Sequence, residues 1–409
     1  MHHRHSRPAR RFRSIAAFLP LAAVLTLPAA ASPQSGPGDV DGMRASLDAS
    51  YVAGPTLAKE LGARLSWQSR VPLPPRGSLQ AVETVGDAIL AIDTSNQICR
   101  LRPEDGTVIW NSAVGNPIDR FLGIFGVDVE AAAGKLYAVF STELYVLDAS
   151  NGSIVGRQPL AKLPVTRPLV VGPVFVYGTA AGHIVAHHCL VGHEFRTSSL
   201  DSRITGAPLP VGDRFIVASG NGEVACLNSK GINRHWNRRL FAGIQAAPAV
   251  AEGTAFIAGL DQYLWAFDVR SGNPLWRRFF TSPLVEAPIA EGDAIMQRVP
   301  DVGVVCFTAR PEGKPDGEIR WTAPAVTGDH VGSIDGSVAF WNAESHELSL
   351  IEPKRGSVRT VTIPQASGIF DVTSGPLEGS LFAYSADGRI VRLEPREAKT
   401  AAAASSPSP

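Results

Sequence analysis

The sequence predicts an all-β protein: an eight-bladed β-propeller of four-stranded antiparallel blades, closed by an N-terminal strand that pairs with the last blade. Three observations predict it. A strand–turn–strand line recurs about every forty residues, as in LYVLDASNGSIVG (144–156), LWAFDVRSGNPLW (264–276) and LSLIEPKRGSVRT (348–360). Pro168, Pro208, Pro248 and Pro288 keep the same spacing, each at the head of an apolar segment. The last repeat is one strand short, and a strand-like segment bearing Trp67 precedes the first.

Each unit reads from its residues. A proline opens the innermost strand, where no ladder donor is needed. A glycine turn follows (Gly172, Gly212, Gly253, Gly292), then a second apolar strand such as RFIVAS or TAFIAG. The third strand ends on a polar residue: Asp148, His188, Asn228, Asp268 and Thr308 lie forty apart, with Arg102, Glu352 and Glu394 at looser spacing. A glycine at 106, 152, 231, 272, 317 or 356 then supplies positive φ for the next turn. The fourth strand often carries a tryptophan: Trp110, Trp236, Trp276, Trp321. The units fall at about 79–114, 122–160, 165–200, 204–240, 244–280, 284–324, 325–364 and 368–398. Radial packing covers both faces of such small sheets. Residues 65–71, with Trp67, supply the missing fourth strand of the last unit and remove its open edge.

The flanks differ in kind. Residues 1–14 hold five arginines and no acid, and an apolar run to Leu27 and three alanines at 29–31 follow, so 1–31 reads as a secretory signal peptide. Residues 32–64 read as a linker and short N-terminal helices, around 43–50 and 57–61; 65–398 is the propeller and 399–409 a disordered tail. After the apolar run of the leader, nothing approaches the length of a membrane span. The whole chain has 38 basic and 38 acidic residues, which excludes a nucleic-acid binder acting by bulk charge.

The Gly-x-x-x-Trp spacing at Gly106/Trp110, Gly272/Trp276 and Gly317/Trp321 resembles the repeat of pyrroloquinoline-quinone-type propellers. The resemblance runs from Trp67 to about residue 398 and implies that each tryptophan packs on the turn of a neighbouring blade. Gly156, Arg196 and Thr360 stand where a tryptophan is expected, so those junctions need other packing. The fold has an enzymatic branch, the quinoprotein dehydrogenases, whose vicinal cysteine pair and long insertions are missing here. It also has a non-enzymatic branch of accessory proteins of outer-membrane β-barrel assembly, the BamB family, which this chain resembles in length, blade count and short loops. That resemblance implies no cofactor and a protein partner in the cell envelope. It also implies a location in the periplasm or outside the cell, at the outer-membrane periphery. The competing functions are a quinone-dependent oxidoreductase and a binder of envelope polysaccharide or a small ligand in the central channel.

No residue set points to catalysis. No G-x-S-x-G, phosphate loop or H-E-x-x-H occurs, and the carboxylates at the turns bond their own backbone rather than pairing. Cys99, Cys189, Cys226 and Cys306 read as small buried side chains rather than disulfides, since Cys226 and Cys306 share one strand position two blades apart. His183, His187, His188 and His193 are dense in sequence, but strand alternation splits them, so no metal site is expected. One candidate binding feature is basic and aromatic. Arg238, Arg239, Arg277 and Arg278 flank Trp236 and Trp276 on adjacent fourth strands, as a patch for an acidic partner or a polysaccharide, or as a charged edge that blocks aggregation.

Overall fold

The computed structural model describes residues 40–324, 326–372 and 375–395. The expected signal peptide and the tail at 399–409 lie outside them. Contacts divide the chain after Arg44, and the unit from Ala45 onward holds every sheet. Among the described residues two helices precede the strands, α1 (Val40–Asp48) and α2 (Pro55–Glu60). Proline opens α2, where its missing N–H costs nothing. The Asp48 Oδ1 accepts from the Thr56 N–H.

Eight four-stranded antiparallel sheets follow, arranged as an eight-bladed propeller. We number the blades I to VIII in chain order of their first strands, beginning with Leu79–Val85 and ending with Gly368–Asp371. In blades I to VII four consecutive strands run from the centre outward. Blade VIII takes three strands from the C-terminal region, and its outermost is Ala63–Arg70, paired antiparallel with Arg389–Pro395. Trp67 sits on that strand opposite Arg392. The ring is thus closed by the first described strand gripping the last described one, with Arg64 and Ser66 both bonded to Glu394.

The second and third strands are apolar almost without alternation. Ala88–Asp93 is buried at every residue, and Thr254–Ala258 likewise. A sheet with another sheet on each face has no solvent side, so the usual alternation disappears. The core is correspondingly divided into eight clusters, each shared by two neighbouring blades. The outer strand is exposed, and in seven of the eight blades its ladder to the third strand slips by a bulge; Val358–Thr362 of blade VII is the regular one. Bulges twist an edge and make it a poor template for another strand.

The polar residues closing the third strands do bond their own turns. Asp148 Oδ1 accepts from the Ser150 N–H, Asn228 Oδ1 from Lys230, Asp268 Oδ1 from Ser271 and Glu352 Oε1 from Lys354. Near the axis, Arg167 at the mouth of blade III reaches past the innermost strand of blade II to Glu83 of blade I. Its guanidinium makes two bonds there, at 2.6 and 2.8 Å, and lies 4.8 Å from the Phe125 ring centre.

Candidate functional site: seams and outer rim

The tryptophans form a repeated joint. Trp67, Trp110, Trp236, Trp276 and Trp321 each leave an outer strand and lie on the turn of the next blade. Each indole N–H donates to the carbonyl just after the residue that closes that blade's third strand: Pro103, Ala149, Val269, Ala309 and Pro353, at 2.8–3.1 Å. Under each ring is a glycine in the left-handed region: Gly106, Gly152, Gly272, Gly317 and Gly356, with φ of 69–73°. A Cβ built on Gly152 would stand 2.4 Å from Trp110 Cε3, and one on Gly272 2.6 Å from Trp236 Cδ2. These positions therefore exclude a side chain twice, by backbone conformation and by the ring above.

Gly231 departs from the sequence expectation. Its φ is not positive; the left-handed residue of that turn is Ile232, at φ 46°. The counting rule of four residues beyond Asn228 leads to Ile232, and the neighbouring glycine masked it. Blade III, which faces this turn, is one of those without a tryptophan, Arg196 standing there instead. No indole competes for the space, so Ile232 fills it with its own side chain and is 4% exposed. A cleft of about 330 Å³ remains beside it, lined among others by Phe195, Arg196, Asn233 and Arg234.

The other two irregular seams are closed differently. Between blades II and III, Gln158 Nε2 donates to the Cys189 carbonyl at 2.6 Å, the carbonyl an indole holds elsewhere, and Gln158 lies over Gly192. Its Oε1 meets His187 Nε2 at 2.8 Å. Burial pushes the His187 imidazole down to about 4. Between blades VII and VIII the N-terminal segment packs in: Val52, Ala53, Ala58 and Leu61 are buried with Val361, Ile363 and Ile369. The guanidinium of Arg359 donates to the Glu60 carbonyl, and Gln365 donates to the Ala49 carbonyl at 2.7 Å.

All four cysteines are free and buried, and burial raises their thiols, Cys306 to about 11. Such thiols are inert at neutral pH. His187 and His188 face opposite sides of their strand, the first bonded to Gln158, the second edge-on to Phe195. Among the described residues no three His, Cys, Asp or Glu side chains converge as metal ligands.

The four rim arginines do not form one patch. Alternation sends Arg238 toward blade V, where it bonds the Ser271 carbonyl and Asn273 Oδ1. Arg239 points the other way and pairs with Asp201 at 3.8 Å. Arg278 shares the Trp276 side of its strand, and Arg277 takes the opposite side, in register with Trp265. The Arg277 guanidinium lies 4.9 Å from the Tyr263 ring centre, 5.0 Å from Trp265 and 5.9 Å from Phe241. Tyr263 in turn meets Phe279 at 5.3 Å. Sequence reasoning did not find this aromatic wall. Its only trace is YLWAFD, which places three large rings, Tyr263, Trp265 and Phe267, at alternate positions on one face of a third strand.

Comparison with known proteins fits this architecture. The family described as outer membrane protein assembly factor BamB matches residues 184–297, from the third strand of blade III to the second of blade VI. The BamB of Salmonella typhimurium is 25% identical over 231 residues, covering 52% of this chain and 58% of the relative. That of Escherichia coli is 22% identical over 249 residues, 54% and 64%. The matches thus span about three fifths of these relatives' length. Among solved structures, BamB from Moraxella catarrhalis superposes with a TM-score of 0.61 at 18% identity, over 81% of this chain and 98% of the other. The chain is an eight-bladed propeller whose repeats are similar to those of BamB. The computationally designed protein Ika8 shares the fold at a TM-score of 0.59 and 12% identity. No described helix is long and apolar enough to cross a membrane.

Proposed function

We propose that this chain is an exported, non-enzymatic propeller that serves as a protein-interaction scaffold in outer-membrane assembly. The observation that carries the reading is the BamB match on blades III to VI, extended by a superposition that takes in nearly the whole of a BamB structure. The chemistry agrees: the cysteine thiols are raised by burial, and the turn carboxylates are occupied by their own backbone. The second and third strands belong to the core, which leaves loops, outer strands and the partly exposed innermost strands as the surface available to partners.

The test is capture from living cells. A tagged chain, crosslinked in its own bacterium, is expected to bring down outer-membrane assembly components. Recovery of none of these, together with dye reduction by protein loaded with pyrroloquinoline quinone and Ca²⁺, would sink the reading and favour an oxidoreductase.

A further inference from the structure

We propose that the outer wall of blade V binds a partner's peptide segment through a carboxylate flanked by apolar side chains, with Arg277 as the anion-binding group. The proposal deepens the scaffold reading by naming a partner chemistry.

Four observations carry it. First, Arg277 is held but not neutralised. Three aromatic rings lie within 6 Å of its guanidinium, yet among the described residues no carboxylate or carbonyl accepts a bond from that guanidinium. The rings attract the cation but accept none of its N–H hydrogen bonds in the ordinary sense, so its planar N–H fork remains available, and such a fork matches a carboxylate bidentately. Second, the acid bonded to the rings of this wall, Asp261, is engaged with them and not with the arginine. Asp261 Oδ2 accepts from Trp265 Nε1 at 3.0 Å and from the Phe241 N–H at 3.3 Å, and Oδ1 accepts from the Tyr263 N–H. This carboxylate fixes the wall instead of quenching the cation.

Third, the apolar flanks are open. Phe241 is 77% exposed and Phe279 53%, the first against Trp265 and the second against Tyr263. Exposed aromatic side chains joined by an underlying row of rings are the kind of apolar patch that binding surfaces use. Fourth, the neighbourhood suits a peptide better than a lipid surface. Binding to anionic membrane draws on a field of several free basic residues. Here Arg238 and Arg239 are tied to Ser271, Asn273 and Asp201, and Arg234 to Glu223 and the Ser199 carbonyl. The backbone N–H of Arg277 already bonds the Pro315 carbonyl, so the segment lies against side chains rather than adding as a further strand at that point.

The probe is a labelled, N-acetylated, C-amidated peptide of sequence Gly-Phe-Asp-Phe-Gly, with Gly-Phe-Asn-Phe-Gly as its neutral isostere, titrated by fluorescence polarisation against the whole chain. The aspartyl peptide is expected to bind at least tenfold tighter than the asparaginyl one. Arg277→Gln should abolish that preference, Arg277→Lys should keep only a part of it, and Arg238→Gln should leave it intact. No binding, or equal binding of both peptides, overturns the proposal. So does R277Q-sensitive flotation with phosphatidylglycerol–phosphatidylethanolamine vesicles without peptide binding, which assigns the wall to lipid. In cells, capture of assembly components by the R277Q chain at undiminished yield overturns the assignment of the wall to those partners, while the scaffold reading stands.

Discussion

The seam between blades IV and V and the seam between blades III and IV solve the same packing problem with opposite residues. In the first, Trp236 covers Gly272 and its indole holds the Val269 carbonyl. In the second, Arg196 replaces the ring and Ile232 replaces the glycine, although a β-branched residue at φ 46° is strained. Where the indole lies on the turn a side chain is excluded, and where none arrives one is admitted, as at Ile232, though not required, as at Gly192. The seam between blades II and III separates the two jobs further. Gln158 keeps the hydrogen bond to the turn carbonyl and gives up most of the apolar area.

Three experiments break or sharpen that contrast. The largest effect is expected from Trp236→Ala, which removes a buried ring and orphans the Val269 carbonyl. It should cost about 3–5 kcal/mol in denaturant unfolding. Gly272→Ala should cost about 2–4 kcal/mol, from overpacking against the ring and from the left-handed backbone. The double variant should lose clearly less than the sum, because the added methyl then enters the hole left by the indole. Additive losses would mean that ring and glycine act independently.

The third concerns His187 in the Gln158 seam. The fold keeps this imidazole neutral, with its pKa lowered to about 4, whereas the unfolded chain takes up a proton near pH 6.5. Stability from this group is therefore complete above pH 6.5 and is lost as pH falls toward 4. Wild type should lose about 1–3 kcal/mol across that window, and His187→Gln should flatten the slope. An unchanged slope in the variant would remove His187 from the account.

Much of this architecture was legible in the sequence because a propeller repeats its physics. Trp67 is identified as the missing outer strand by its likeness to Trp110 and Trp276, and the structure pairs it with the last blade. The turn at Gly231 misled because adjacency to the repeat position looked like occupancy of it. The tie between Gln158 and His187 was out of reach, since it joins residues 29 apart on different blades. The rim arginines show the same limit more sharply. Arg277 and Arg278 are neighbours in sequence, but strand alternation puts them on opposite faces. The aromatic wall behind Arg277 comes from a loop, a third strand and an outer strand, at 241, 263, 265 and 279. Periodicity finds what every blade does; it does not find what a single blade does differently.

The clasp of Ala63–Arg70 on Arg389–Pro395 makes the protein a test of its own completeness. The two partners stand 330 residues apart at Arg64 and Glu394, so bringing them together costs on the order of 5 kcal/mol of chain entropy, recovered only when the last sheet exists. Until synthesis reaches that point the earliest strand has nothing to hold. A prematurely terminated product would keep it as a raw edge with an uncovered indole, the sort of surface that chaperones and proteases recognise.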